Sequence, residues 1–140
     1  MQSLQIKTYS SQLQITKPHF FILNRGLNSG KPSEKFWVNS FVCICKDETE
    51  RDFYYWLLFG LWKAKHFHQF LVGSVIPFIR LDDLKTIISE QAQEVKKKEA
   101  QYNSAVQKIK SIEEKEKQML KQLVLLQDLK RAMLYRYLKR

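Results

Sequence analysis

The stretch Asp52 to Lys65, DFYYWLLFGLWKAK, constrains the fold most. Phe53, Trp56, Leu57, Leu61 and Ala64 recur at the three- and four-residue spacing of one helix face, and Tyr54, Leu58, Phe59 and Trp62 make the other sides apolar as well. A helix that is hydrophobic nearly all round is a buried one, so this segment predicts a core helix. Thr49 with Asp52 three residues on, after Asp47 and Glu48, places acceptors and negative charge at its start. Lys63 and Lys65 stand at the end that favours positive charge.

At 140 residues the chain is long enough for one modest core, and 44% hydrophobic with 13% aromatic residues indicates a globular chain rather than a disordered one. The longest apolar run, Trp56 to Trp62, falls far short of the roughly 20 residues that span a bilayer. No secretory leader pattern opens the sequence, which predicts a cytoplasmic protein. A net charge of +10 calls for an anionic partner, nucleic acid ahead of a membrane surface, or else serves solubility alone. Cys43 and Cys45 lie two apart in a strand-like run and do not readily bridge each other, in keeping with a reducing compartment. With His66 and His68 they suggest zinc only superficially. The C-x-C and H-x-H spacings are tighter than structural zinc pairs, strand alternation accounts for the cysteines, and no metal or cofactor is expected.

Leu4 to Tyr9 and Leu13 to Thr16 alternate apolar and polar residues around Ser10-Ser11, which predicts a hairpin. His19 to Asn24 reads as a buried strand. The loop Arg25-Gly-Leu-Asn-Ser-Gly-Lys-Pro-Ser33 has two glycines able to take positive φ and present backbone N–H groups to a phosphate. It is equally read as an ordinary hairpin-like connection, and it lacks the spacing of a nucleotide-hydrolase phosphate loop. Phe36 to Cys45 predicts a second central strand, with Phe41, Cys43 and Cys45 on one face and Val42 and Ile44 on the other. Pro77 reduces Val75 to Ile79 to an edge strand or extended segment, and Asp82-Asp83 reads as the cap of a short helical turn at Leu84 to Thr86.

From Ser89 to Arg140 there is no proline or glycine, and good helix formers dominate. A heptad count from Val95 places Val95, Tyr102, Ile109 and Leu123 at one seam position and Ala105, Ile112, Met119, Leu126 and Met133 at the other. Glu116 and Lys130 interrupt the seam, while Val106, Leu120 and Leu134 widen it. A helix of about 45 to 50 residues, roughly 70 Å long, needs a partner helix for such a seam, from a second copy of the chain or from another protein. Its lysines largely alternate with acids as a solvated face, except in the tail after Asp128, which has no acid. The class predicted is α+β. A small sheet-based head with a buried helix occupies residues 1–88, and a long coiled-coil-like helix occupies 89–140.

The run Lys17-Pro-His-Phe-Phe-Ile-Leu-Asn-Arg-Gly26, Asn28-Ser-Gly-Lys31, the strand Phe41 to Cys45, the Tyr54-Tyr55-Trp56 helix and Gly73-Ser-Val-Ile-Pro-Phe-Ile79 before Asp83-Leu-Lys-Thr-Ile87 follow one another in a telling order. Residues 17–88 resemble part of a target recognition domain from the DNA specificity subunits of type I restriction-modification systems. The whole chain is also similar to a family of uncharacterised bacterial proteins from mobile elements. The first resemblance implies a non-catalytic DNA-binding module that self-associates or docks through its C-terminal helix, with no small-molecule substrate and no membrane. Charge and loop position nominate Arg25, Asn28, Lys31 and Lys35 for phosphate or base edges, with Lys63, Lys65, His68 and Arg80 as a second basic group. The alternative is a protein-interaction or scaffold factor acting on a mobile-element or restriction complex without touching DNA. No serine or cysteine has a base at recognisable spacing and no carboxylate pair sits in an apolar setting, so no enzyme is expected.

Overall fold

The computed structural model describes residues 4–139, which leaves Arg140, the last residue of the basic tail, outside the described residues. Four strands, β1 (Gln5–Thr8), β2 (His19–Leu23), β3 (Pro32–Ser33) and β4 (Ser40–Ile44), form one antiparallel sheet in the order β1-β4-β2-β3. The helices are α1 (Glu48–Lys63), α2 (Leu81–Lys96) and α3 (Glu99–Tyr135), with a 3-10 helix at His66–Phe70 between the first two. The fold is therefore α+β with a long C-terminal helix.

The centre of the sheet is where the apolar runs predict it. β2 and β4 pair with Phe20 opposite Cys43 and Ile22 opposite Phe41, and Ile6 of β1 also falls opposite Cys43. Because side chains alternate along a strand, this register puts Ile6, Phe20, Ile22, Phe41, Cys43 and Cys45 on one face. That face joins Leu57 and Leu58 of α1 and Leu84, Ile87, Ile88 and Ala92 of α2 in one buried cluster. The opposite face is closed by aromatics, with Phe21 edge-on to Tyr9 at 5.0 Å and to Phe36 at 6.3 Å between ring centres. Val42 beside it is fully buried.

The hairpin predicted for residues 4–16 does not form. β1 pairs with β4, the amide of Tyr9 continues that ladder to the Ser40 carbonyl at 3.0 Å, and residues 13–16 are not a strand. The turn at Ser10 exists, closed by Leu13 N–H to the Ser10 carbonyl, but it leads the chain out of the sheet. Alternation makes a segment strand-competent without naming its partner, and β4 offers a more apolar edge than Leu13 to Thr16.

α1 begins before Asp52. Asp47 is its N-cap and its Oδ1 accepts from the Glu50 N–H at 2.8 Å, the kind of cap worth about 1 kcal/mol. Leu57 and Leu58 form its buried line, while Trp56, Phe59 and Trp62 are half-buried.

The short helical turn expected at Leu84 to Thr86 is instead the full α2. The stripe Leu84, Ile87, Ile88 and Ala92 buries itself on the sheet, which carries the helix straight through Ser89. Val95 consequently belongs to α2 and packs against the head cluster rather than standing at the start of the C-terminal seam. The interruption falls at Lys97-Lys98, where Lys98 leaves helical geometry with φ −129° and ψ 44°. No glycine or proline marks it. Just before it, the Lys96 ammonium sits 5.7 Å from the Phe53 ring centre, and Lys97 Nζ meets the Glu94 carboxylate at 2.8 Å. The chain divides into two compact units at this point, residues up to Lys97 and residues from Lys98 on.

Candidate functional site

The loop Arg25 to Lys31 is set by two glycines in the left-handed region, Gly26 at φ +94° and Gly30 at φ +96°. Gly30 lies directly under the Phe67 ring, where a Cβ would collide with the ring carbons. The loop is thereby pressed onto the 3-10 helix. Ser29, 1% exposed, donates its hydroxyl to the Gly26 carbonyl at 2.6 Å.

Four of the loop's backbone N–H groups are engaged internally. The N–H of Gly26 goes to the Pro77 carbonyl, that of Ser29 to Gly26, that of Gly30 to Leu23 and that of Lys31 to Asn28. Those four amides are turned away from an anion, which leaves Leu27 and Asn28 at the middle of the loop and the side chains around it, phosphate- and base-positioning groups in their own right.

Those side chains converge on Trp62, a residue the sequence reading treats as core. Its indole N–H donates to Asn28 Oδ1 at 3.3 Å, and the ammonium groups of Lys31 and Lys63 each lie 4.9 Å from its ring centre. Lys63 also approaches the Phe59 ring at 5.8 Å. Cation–π contacts of this kind contribute about 0.5–1 kcal/mol at exposed sites, enough to bias two flexible lysines toward one place.

His68 completes the group. The C-terminal end of α1 turns through Lys65, the sole non-glycine residue with positive φ among the described residues, at +58°. This turn directs the 3-10 helix toward the loop, and His68 Nε2 hydrogen-bonds the Leu27 carbonyl at 3.2 Å. Asn28, Lys31, Lys63 and His68 are therefore brought together across more than thirty residues of sequence.

Arg25 opens the glycine loop, and the segment 72–80, which ends at Arg80, docks beside it. Val72 and Phe78 pair as a narrow bridge, Phe78 also bridges Arg25, and the Ile79 N–H reaches the Asn24 carbonyl at 3.1 Å. Lys35 stands apart, after β3, where its N–H is held by Ser33 Oγ at 3.1 Å. Neither Lys17 to Ser33 nor Phe53 to Leu81 contains an acidic residue, so the two stretches that build this surface carry only positive charge. Acids flank both stretches: Asp52 precedes the second and Asp82-Asp83 follow it, while Glu34, which follows the first, lies 3.8 Å from Arg51, whose Nε–H also donates to the His19 carbonyl at 2.7 Å. Trp62, Phe67 and Arg51 were not legible as site residues. Gly30 alone hinted that something must approach the loop closely.

Cys43 and Cys45 are buried with their sulfurs 3.9 Å apart. The hydrogen bond to Cys45, and then burial, push the Cys43 thiol up, and the same hydrogen bond lowers Cys45. Among the described residues no three His, Cys, Asp or Glu side chains gather as a metal-holding group. A cleft of about 550 Å³, lined by Leu4, Lys46, Glu50, Tyr54, Ile88 and Lys96 among others, includes none of the eight basic-site residues. No helix of the described residues is long and apolar enough to cross a membrane.

On α3 the expected seam residues Ile112, Met119, Leu123, Leu126 and Met133 are 52–59% exposed. Ala105 is exposed as well, and Tyr102 and Ile109 are half-buried. Leu120, Val124, Leu125 and Leu129 extend the exposed apolar band beyond the seam.

No curated protein and no solved structure matches this sequence. Residues 6–136 match a family described as a family of unknown function (DUF6943), and the chain belongs to that family.

Proposed function

We propose that the protein is a non-catalytic nucleic-acid-binding module, with DNA as the ligand class, that self-associates through α3. The observation that carries this reading is the convergence of Asn28, Lys31 and Lys63 on Trp62, on a surface built from acid-free stretches. Arg25, Arg80 and His68 flank the same loop, and Lys35, Lys65 and the net charge of +10 add to the attraction for phosphates. The resemblance of residues 17–88 to the target recognition domains of restriction specificity subunits points to the same ligand. Pairing two weakly binding heads through α3 raises apparent affinity without any new contact.

The test is a salt titration of binding to a labelled duplex, followed by fluorescence anisotropy. With four to six phosphates contacted, log K against log salt falls with a slope of about −4 to −5. Lys31→Ala and Lys63→Ala each make that slope shallower by about 1. A flat plot, or no binding at low salt, sinks the reading.

The exposed apolar band on α3 favours a second reading, in which the chain acts as a protein-interaction or scaffold factor. Copurification with a partner through α3, with no DNA shift by the intact chain, selects it.

A further inference from the structure

Among the described residues up to Lys97, six large apolar side chains are more than half exposed, and all six lie on three loops. Leu27 is on the glycine loop, Phe36, Trp37 and Val38 are between β3 and β4, and Val75 and Ile76 are at the tip of the 72–78 bridge. The three loops are tied together at one residue. Asn24 donates its N–H to the Asn39 carbonyl at 3.1 Å and accepts from the Ile79 N–H at 3.1 Å, while Gly26 N–H reaches the Pro77 carbonyl. The three loops therefore rise from one end of the sheet, where β2 ends and β4 begins, as a crown whose tips are apolar. Arg25, Lys31, Lys35 and Arg80 belong to the same three loops, and their one acid, Glu34, is paired with Arg51.

A ligand for this crown must be anionic and must also present apolar surface at close range. An intact duplex meets the second demand poorly, because its base faces are stacked away and its grooves offer little apolar surface beyond thymine methyl groups. Unpaired bases meet both, since each nucleotide offers a π face and a phosphate. Phe36 is already steadied by Tyr9, 5.0 Å away between ring centres, and Trp37 is 53% exposed beside it.

We infer that the three-loop crown takes unpaired bases, so that the ligand of the basic surface is single-stranded or locally melted nucleic acid rather than intact duplex. This rests on the nucleic-acid reading above and narrows it. Trp37 and Phe36 stack on bases, while the arginines and lysines of the loops hold the flanking phosphates.

The experiment compares binding of the full chain to a single strand of about 20 nucleotides, the matched duplex, the same duplex with a mismatched bubble, and phosphatidylserine vesicles. The single strand and the bubble are expected to bind about tenfold tighter than the duplex, and Trp37→Ala to weaken them at least about fivefold while Trp37→Phe does not. Duplex binding as tight as single-strand binding, or a preference untouched by Trp37→Ala, overturns the inference and leaves the nucleic-acid reading standing. No binding to any nucleic acid overturns both, and binding to vesicles alone assigns the crown to an anionic lipid surface instead.

Discussion

Gly26 and Gly30 share a backbone conformation, φ near +95°, yet differ in what surrounds them. A Cβ on Gly26 meets nothing within 4 Å, whereas one on Gly30 runs into the Phe67 ring. Gly26→Ala therefore carries only the left-handed penalty, about 1–2 kcal/mol. Gly30→Ala adds the cost of displacing a fully buried ring, for a total of about 2–5 kcal/mol. Urea unfolding of the two variants checks the difference, and equal shifts in midpoint contradict the docking of this loop on the 3-10 helix. Trp62 shows the same dependence on surroundings. By composition it is one more apolar residue of an aromatic helix, and only its neighbours Asn28, Lys31 and Lys63 make it the organiser of a basic surface.

α1 and α2 bury their apolar lines on the sheet, but α3 leaves Leu123, Leu126 and Met133 more than half exposed. Apolar surface on this scale drives association, at roughly 25 cal/mol per Å² removed from water. The band formed with Leu120, Val124, Leu125 and Leu129 is also wider than the two-position seam of a two-stranded coil. Sedimentation of the intact chain is accordingly expected to show an assembly of two or more copies, and the double variant Leu123→Asp with Leu126→Asp to sediment as a monomer. A monomeric native chain at micromolar concentration contradicts pairing through α3. The strength of this helix was legible from its composition and its lack of glycine and proline. Its starting point was not, because no helix-breaking residue marks the interruption at Lys97-Lys98.

The buried cluster draws on residues from Ile6 to Ala92 and on nothing beyond Val95. Residues up to Lys97 thus contain their own core, and α3 is a separate compact unit. A chain ending at Lys97 is expected to unfold cooperatively, with a stability within about 1 kcal/mol of the same unit in a dispersed full-length chain. Its apparent affinity for nucleic acid falls about 100-fold when pairing is lost, since avidity and not a direct contact is removed. Far-UV circular dichroism during urea unfolding reads the first outcome and anisotropy the second. Loss of cooperative unfolding in the shortened chain contradicts the independence of the core.

Much of the local character of this protein was written in its residues: β1, β2 and β4 where apolar side chains alternate or crowd, α1 and α3 where helix formers and helical spacing run on, and the two faces of β4 assigned residue by residue. These follow from backbone periods that act over a few residues. Partners were decided elsewhere. That β1 pairs with β4, that α2 runs through Ser89, that the Gly26 amide is taken by Pro77, and that three loops meet at Asn24 depend on groups far apart in the chain. Such contacts are selected by the packing of the whole core, which no local pattern encodes.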